Sequence, residues 1–261
     1  MTSRTQPPPK ESPRPPRRAL ILDAAVELLR RGGADALNMR ALAEAAGVSI
    51  ATPYNIFGSK EAVLLAVMEA DLARQQARYD SRPRRSIGDL LAACTETIEQ
   101  LTKDPEYNRA LLTALAQTGN SDLRLLVNGP RYLIWKGLLR GAQDAGELRK
   151  DFDLDALTIT VCQQLSAPVM EWVLEGLDAP ELAARSRLGF ALVLLGAATE
   201  RSRTALETEY RKAQQQLQAL WQRNLQRRLA RGALSPDEIK LYEDQLAMRR
   251  ELNPDPTEAT S

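Results

Sequence analysis

The residues able to do chemistry are few. The chain contains no histidine, so the commonest general base and metal ligand are missing and histidine-based triads are excluded. Cys94 and Cys162 stand far apart within helical patterns and read as small buried side chains rather than a disulfide or metal framework. No catalytic, metal-ligating or cofactor-holding set emerges, and the chain is not expected to be an enzyme. What remains is one dense stretch, Gly47 to Glu61, GVSIATPYNIFGSKE. Its chemistry is that of chain reversal and capping. Gly47 permits a turn where a Cβ would clash, Ser49 can cap a short helix, and Gly58 stops it. Two short helices joined by a tight glycine turn form a helix-turn-helix, whose second helix fits the DNA major groove. Pro53, inside that second helix, is the element out of place; with Ser49 as cap it falls in the first turn, where a tight or irregular start is expected.

The surrounding elements must hold this head. Leu20/Ile21, Ala24/Ala25 and Leu28/Leu29 recur every four residues on a first helix starting at Arg17 and ended by Gly32-Gly33. Asn38 caps a second, Met39 to Ala46, with Leu42 and Ala46 inward; Val48 plugs the angle to the third, which ends near Phe57, itself a core residue. Ser59 caps a fourth, with Val63, Leu64, Val67 and Met68 in its buried stripe. Beyond them, helices are predicted at roughly 86–102, 105–118, 121–145, 153–177 and 180–231, with Pro130 and Pro168 expected to kink or break theirs. Leu206, Tyr210, Ala213, Leu217 and Leu220 follow a 4-3-4-3 spacing. Ser235-Pro236-Asp237-Glu238 opens a last amphipathic helix carrying Ile239, Tyr242 and Leu246. This C-terminal pair reads either as a hairpin packed on its own domain or as a coiled coil for a partner.

The fold class is therefore all-α: an N-terminal three-helix helix-turn-helix DNA-binding domain plus a larger C-terminal helical domain, whose ligand-binding and dimerisation role is what the resemblance carried by the region around Gly47–Glu61 implies. The expected division is a disordered Pro-rich basic arm over 1–16, the DNA-binding domain over 17–70, the larger helical domain (by the same resemblance, for effector binding and dimerisation) over 71–231, a capping helix over 232–252 and a disordered tail over 253–261. Composition agrees, with 44% apolar residues but only 5% aromatic. The net charge of +1 hides an uneven spread: residues 1–60 hold nine Lys/Arg against five Asp/Glu, and residues 201–250 eleven against six. No apolar run is long enough for a membrane span and no secretory signal is visible, so a cytoplasmic, nucleoid-associated protein is expected.

The stretch AEAAGVSIATPYNIFGSKEAVLLAV resembles the DNA-binding signature of the tetracycline-repressor (TetR) family of bacterial regulators. Ala43, Ala46-Gly47-Val48-Ser49, Thr52, Tyr54, Phe57, Lys60-Glu61 and the apolar Leu64 carry the resemblance, which covers residues 17–70. Ile50 takes a slot often basic or polar in that family, Pro53 one often bulky and apolar, and Ile56 one often histidine or tyrosine. The resemblance implies roles. Ser49 would belong to the DNA-binding set, and Ile50, Ala51, Thr52 and Asn55 would meet bases or the groove wall: Ile50 or the Thr52 methyl a thymine methyl, Asn55 an adenine or a phosphate. Tyr54, Lys60 and Arg40 would contact phosphates, and Arg17 and Arg18 would add non-specific attraction.

The resemblance further implies a homodimer on a near-palindromic double-stranded DNA operator, most often a repressor released by a small-molecule effector. Leu165, Val169, Val173, Leu188, Leu192, Leu195, Gly196 and Thr199 are candidates for the dimer interface. Tyr107, Tyr132, Trp135, Cys162, Met170 and Trp172 are candidates for lining an effector pocket, whose apolar surroundings suit an apolar or amphipathic molecule. The alternative is a DNA-binding protein of the same fold acting mainly through protein partners, as in chromosome organisation.

Overall fold

The computed structural model describes residues 16–80, 86–118 and 121–230, with isolated positions between 235 and 244. Residues 1–15 of the expected arm, Ile239, Tyr242 and Leu246 of the expected last helix, and the tail lie outside the described residues. The chain divides into two compact units, one up to Tyr210 and one from Arg211.

The first unit starts with α1 (Arg17–Ala36), α2 (Met39–Ala45), α3 (Ala51–Phe57) and α4 (Lys60–Asp80). On α1 the four-residue rhythm buries Ile21, Ala24, Ala25 and Leu29, and Gly33, at φ 69°, interrupts the helix where the glycine pair predicts a stop. The Asn38 carboxamide accepts from the Ala41 N–H at 2.9 Å, and Ser59 Oγ accepts from the Ala62 N–H at 3.2 Å, so α2 and α4 begin on the side-chain caps expected of them. The carboxylate of Glu61 sits below its usual range because backbone and Ser59 hydrogen bonds favour the charged form.

Next come α5 (Ile87–Lys103), α6 (Pro105–Gln117), α7 (Ser121–Asp144), α8 (Leu154–Leu174) and α9 (Ala179–Gly196). A capping box between Ser86 and Asp89 opens α5, and Asp104, Asp153 and Asp178 cap α6, α8 and α9. α7 and α8 run through Pro130 and Pro168 without a break. The helix expected over 180–231 is two: α9 ends at Gly196 and α10 spans Glu200–Ala230. The break has a backbone cause. The loop after α7 claims the groups that a continuous helix would use: Arg149 N–H donates to Ala197 O at 2.8 Å, and Thr199 N–H to Glu147 O at 3.2 Å. Thr199 Oγ1 also donates to Gly146 O at 2.9 Å.

Three apolar clusters hold this unit. One joins α1, α2, α4 and α6 through Ile21, Leu29, Leu42, Leu64 and Leu111. A second joins α5, α7, α8 and α9 around Trp135 and Phe190, whose tilted rings lie 5.3 Å apart. The third gathers Ile98, Val169, Trp172 and Leu182. Because α6 packs into the first cluster, the amino-terminal helices are not a separate bead: α1 meets α6 along its length. In the second unit α10 continues from Arg211, with Ala213, Leu217 and Leu220 buried. Among the described residues no helix is long and apolar enough to cross a membrane.

Candidate functional site

The turn between α2 and α3 follows from its glycine. Gly47 has φ 65°, a region that costs a side chain about 1–2 kcal/mol. Its N–H donates to Glu44 O at 3.1 Å, and the Val48 N–H to Ala43 O at 2.9 Å, so the last carbonyls of α2 are satisfied as the chain reverses. Val48 then packs against the cluster shared by α1, α2 and α4.

The start of α3 differs from the expected serine cap. Ile50 precedes the helix with φ −58° and ψ −28°, already helical, and no side chain caps the first turn. Ser49 Oγ instead lies 2.9 Å from Thr52 Oγ1. The physical reason is Pro53, which has no N–H to give Ser49 O. The Thr52 N–H takes that carbonyl at 2.9 Å, a tight first turn. Pro53 itself is buried and anchors α3 to the module.

What α3 leaves outward is a coherent face. Ile50 is 55% and Tyr54 52% exposed, and Ala51 and Asn55 are exposed beside them, so positions spaced by three and four residues share one side. Ile56 is also exposed. Thr52 is half-buried with its hydroxyl engaged, so among the predicted base contacts it is the least available. Arg40 is exposed on α2. Lys60 is half-buried and donates to Ala34 O at 3.2 Å, which pins its ammonium at the end of α1 while leaving donors over. The Arg18 guanidinium lies 5.4 Å from the centre of the Phe57 ring, and Phe57 packs on the core.

Below this head lies a cavity of about 860 Å³, within the size of small-molecule sites. It opens between α1 and α4 on one side and α5 to α8 on the other. Of the six predicted lining residues it takes two, Tyr107 and Trp135. Tyr132 bonds Asp155 at an exposed position, Cys162 packs against the cluster around Trp135, and Trp172 is buried in the third cluster; Met170, half-buried, is also outside the cavity wall. Two residues assigned to the dimer interface line the cavity instead: Leu165 and Val169 are 5% and 8% exposed, turned to the chain's own interior, and so not free for a second copy. Thr199 is likewise committed within the chain, to the loop after α7. Val173, Leu188 and Leu195 are half-buried, and Leu192 and Gly196 are exposed.

The polar part of the wall was missed by sequence reasoning. Arg131 on α7 lines the cavity and donates to Ser166 Oγ at 2.6 Å; enclosure by protein lowers its pKa. A signal existed: Arg131 stands four residues before the buried Trp135, hence on the same side of α7. On the module side, Tyr107 donates its buried hydroxyl to Asp71 at 2.8 Å, and burial, then that carboxylate, pushes the phenol well above its usual pKa. Arg30 of α1 grips Asp104, the cap of α6, through Nε at 2.9 Å and Nη2 at 2.8 Å. Asp104 holds the Arg30 pKa above its usual value. Both contacts tie cavity-lining residues to helices that carry the reading head.

Residues 21–67 match the family described as bacterial regulatory proteins, tetR family. The chain is 35% identical over 102 residues to the HTH-type transcriptional repressor KstR of Rhodococcus jostii, covering 39% of this chain and 46% of that protein. It thus spans less than half the length of that relative. To the HTH-type transcriptional regulator UidR of Escherichia coli K12 it is 27% identical over 173 residues, covering 64% of this chain and 85% of the relative. Among solved structures, SmeT, the repressor of a Stenotrophomonas maltophilia efflux pump, aligns with a TM-score of 0.57 at 20% identity, over 70% of this chain and 91% of that one. FadR of Bacillus subtilis, solved with stearoyl-CoA, aligns with a TM-score of 0.55 at 23% identity, over 68% and 98%. These two establish the likeness of fold. Residues 21–67 thus carry the DNA-binding region described for the tetR family of bacterial regulatory proteins, and the helical architecture of the chain agrees with that fold.

Proposed function

We propose that this chain is a transcriptional regulator, acting as a repressor, that binds a near-palindromic operator as a homodimer and leaves it when a small molecule fills the cavity. The observation that carries the reading is the outward face of α3. A helix of seven residues, Ala51–Phe57, is held by a glycine turn and a buried proline, and it presents Ile50, Ala51, Tyr54 and Asn55 to solvent. Such a face has the size of a major groove and carries an amide for adenine and an apolar side chain for a thymine methyl. Arg40 and Lys60 flank it as phosphate contacts, and two copies would place two such helices about one turn of duplex apart.

The cavity supports the effector half of the reading and favours it over action through protein partners alone. It touches α1 and α4 on one side and α6 to α8 on the other, so an occupant biases the helices that position α3. That B. subtilis FadR was solved with stearoyl-CoA makes an amphipathic effector a reasonable class here. A protein of this kind works at the nucleoid in the cytoplasm.

Selection from a random-sequence duplex pool with the purified full chain tests the proposal. The expected product is a two-fold symmetric motif bound by a dimer. A pool with no enrichment, or an enriched motif bound by a single copy, would contradict it.

A further inference from the structure

The cavity holds a charge that no carboxylate among the described residues answers. Arg131 lines it beside the apolar Ile98, Leu112, Trp135, Leu165 and Val169, while the two carboxylates of the wall, Asp71 and Asp104, are engaged by Tyr107 and Arg74 and by Arg30. Its one hydrogen-bond partner among the described residues is Ser166 Oγ, at 2.6 Å, and that hydroxyl already donates to Cys162 O at 2.7 Å. No carboxylate among the described residues forms an ion pair with it, whereas Arg30 and Arg74, on the same cavity's module side, each have an aspartate. A guanidinium stays charged in proteins, and one enclosed without a counter-ion is costly unless something else neutralises it. Its other guanidinium donors have no partner among the described residues, and their planar fork suits a carboxylate.

We infer that the cavity takes an amphiphile with a free carboxylate, bound acid end inward on Arg131, with its apolar body along Ile98, Leu112, Leu165 and Val169. This assignment deepens the effector reading above and rests on it. It also separates two ligand chemistries. A coenzyme A thioester has no acid group at the acyl carbon, and its phosphates would have to stay with the exposed Arg74, Arg78 and Lys103 at the rim.

Calorimetric titration with dodecanoate, dodecan-1-ol and dodecanoyl-CoA distinguishes them, with release of a selected duplex followed by anisotropy in parallel. A charge-assisted hydrogen bond predicts that wild-type protein prefers the acid to the alcohol by roughly 10- to 100-fold. In R131M the acid should fall to the affinity of the alcohol, while the alcohol changes by no more than about 2-fold. R131Q carries the same comparison if R131M does not fold. Equal affinities of acid and alcohol for wild type, or an acid preference that survives in R131M or R131Q, would overturn the assignment. Tight dodecanoyl-CoA binding with weak acid binding would overturn it while leaving the effector reading intact. Acid binding through Arg131 without DNA release would uphold the site and sink the effector reading. Binding of none of the three would count against both.

Discussion

The reading head and the cavity treat their polar groups in opposite ways. Around α3 the groups available for recognition stand in water: Tyr54 and Asn55 are exposed on α3 itself and Arg40 on α2. In the cavity Arg131 is half-buried beside apolar side chains, with one hydroxyl as its hydrogen-bond partner among the described residues. An exposed side chain that binds a partner costs the free protein little. An enclosed charge destabilises the free protein and is relieved only by an occupant. The first arrangement suits a partner met intermittently on a surface, as DNA is. The second makes the ligand part of the folded balance, so that binding stabilises and repositions the helices around it.

Substitutions that remove similar volume should separate the regions most clearly. Leu42, fully buried on α2, packs in the first apolar cluster and does not line the cavity, and Leu42→Ala should lower stability by about 2–5 kcal/mol and abolish DNA binding. Leu112 borders the existing cavity, so Leu112→Ala enlarges space already present and should cost nearer the low end, about 2 kcal/mol. Denaturant titration of both variants reads the contrast; equal losses would mean that the cavity is closed in solution. A smaller effect is expected at the turn. Gly47→Val forces a branched side chain to φ 65° and should cost about 1–2 kcal/mol, visible as a lowered Tm. An unchanged Tm would mean that the turn adopts another conformation.

Lys60→Ala addresses affinity rather than fold. It should weaken binding to selected and scrambled duplexes alike and reduce the salt slope by roughly 1. Anisotropy titrations that show normal binding to both would remove Lys60 from the phosphate contacts and leave it only its bond to Ala34 O. The smallest effect belongs to the bridge between the regions. Arg30 and Asp104 are partly exposed, so Arg30→Ala should cost under about 1 kcal/mol of stability. It should nevertheless weaken the coupling between ligand and DNA, read as a smaller shift in DNA affinity at saturating ligand; an unchanged shift would take the bridge out of the coupling path.

How much of this was legible in the chain follows from the range of each cause. The head is local: Gly47, Asn38 and Ser59 each act within four residues, so turn and caps are readable from spacing. Pro53 was readable as a first-turn residue, but the loss of the serine cap was not. That outcome depends on which donor takes the Ser49 carbonyl once the proline cannot. The cavity is non-local, with walls from six helices, and apolar residues four apart read equally well as core, pocket or interface. Leu165 and Val169 therefore passed for a dimer surface. Arg131 carried no motif to single it out, although its register with Trp135 pointed inward. The break at 197–199 was invisible for the same reason, since its hydrogen-bond partners lie about fifty residues away.

The central claim is that the exposed face of α3 reads bases, and repeating the duplex selection with Asn55→Ala tests it most directly. The wild-type motif should return with preference relaxed at one pair of symmetry-related positions, each mismatch there having cost about 1–3 kcal/mol before the change. An unchanged motif from the variant would show that this face does not read the sequence.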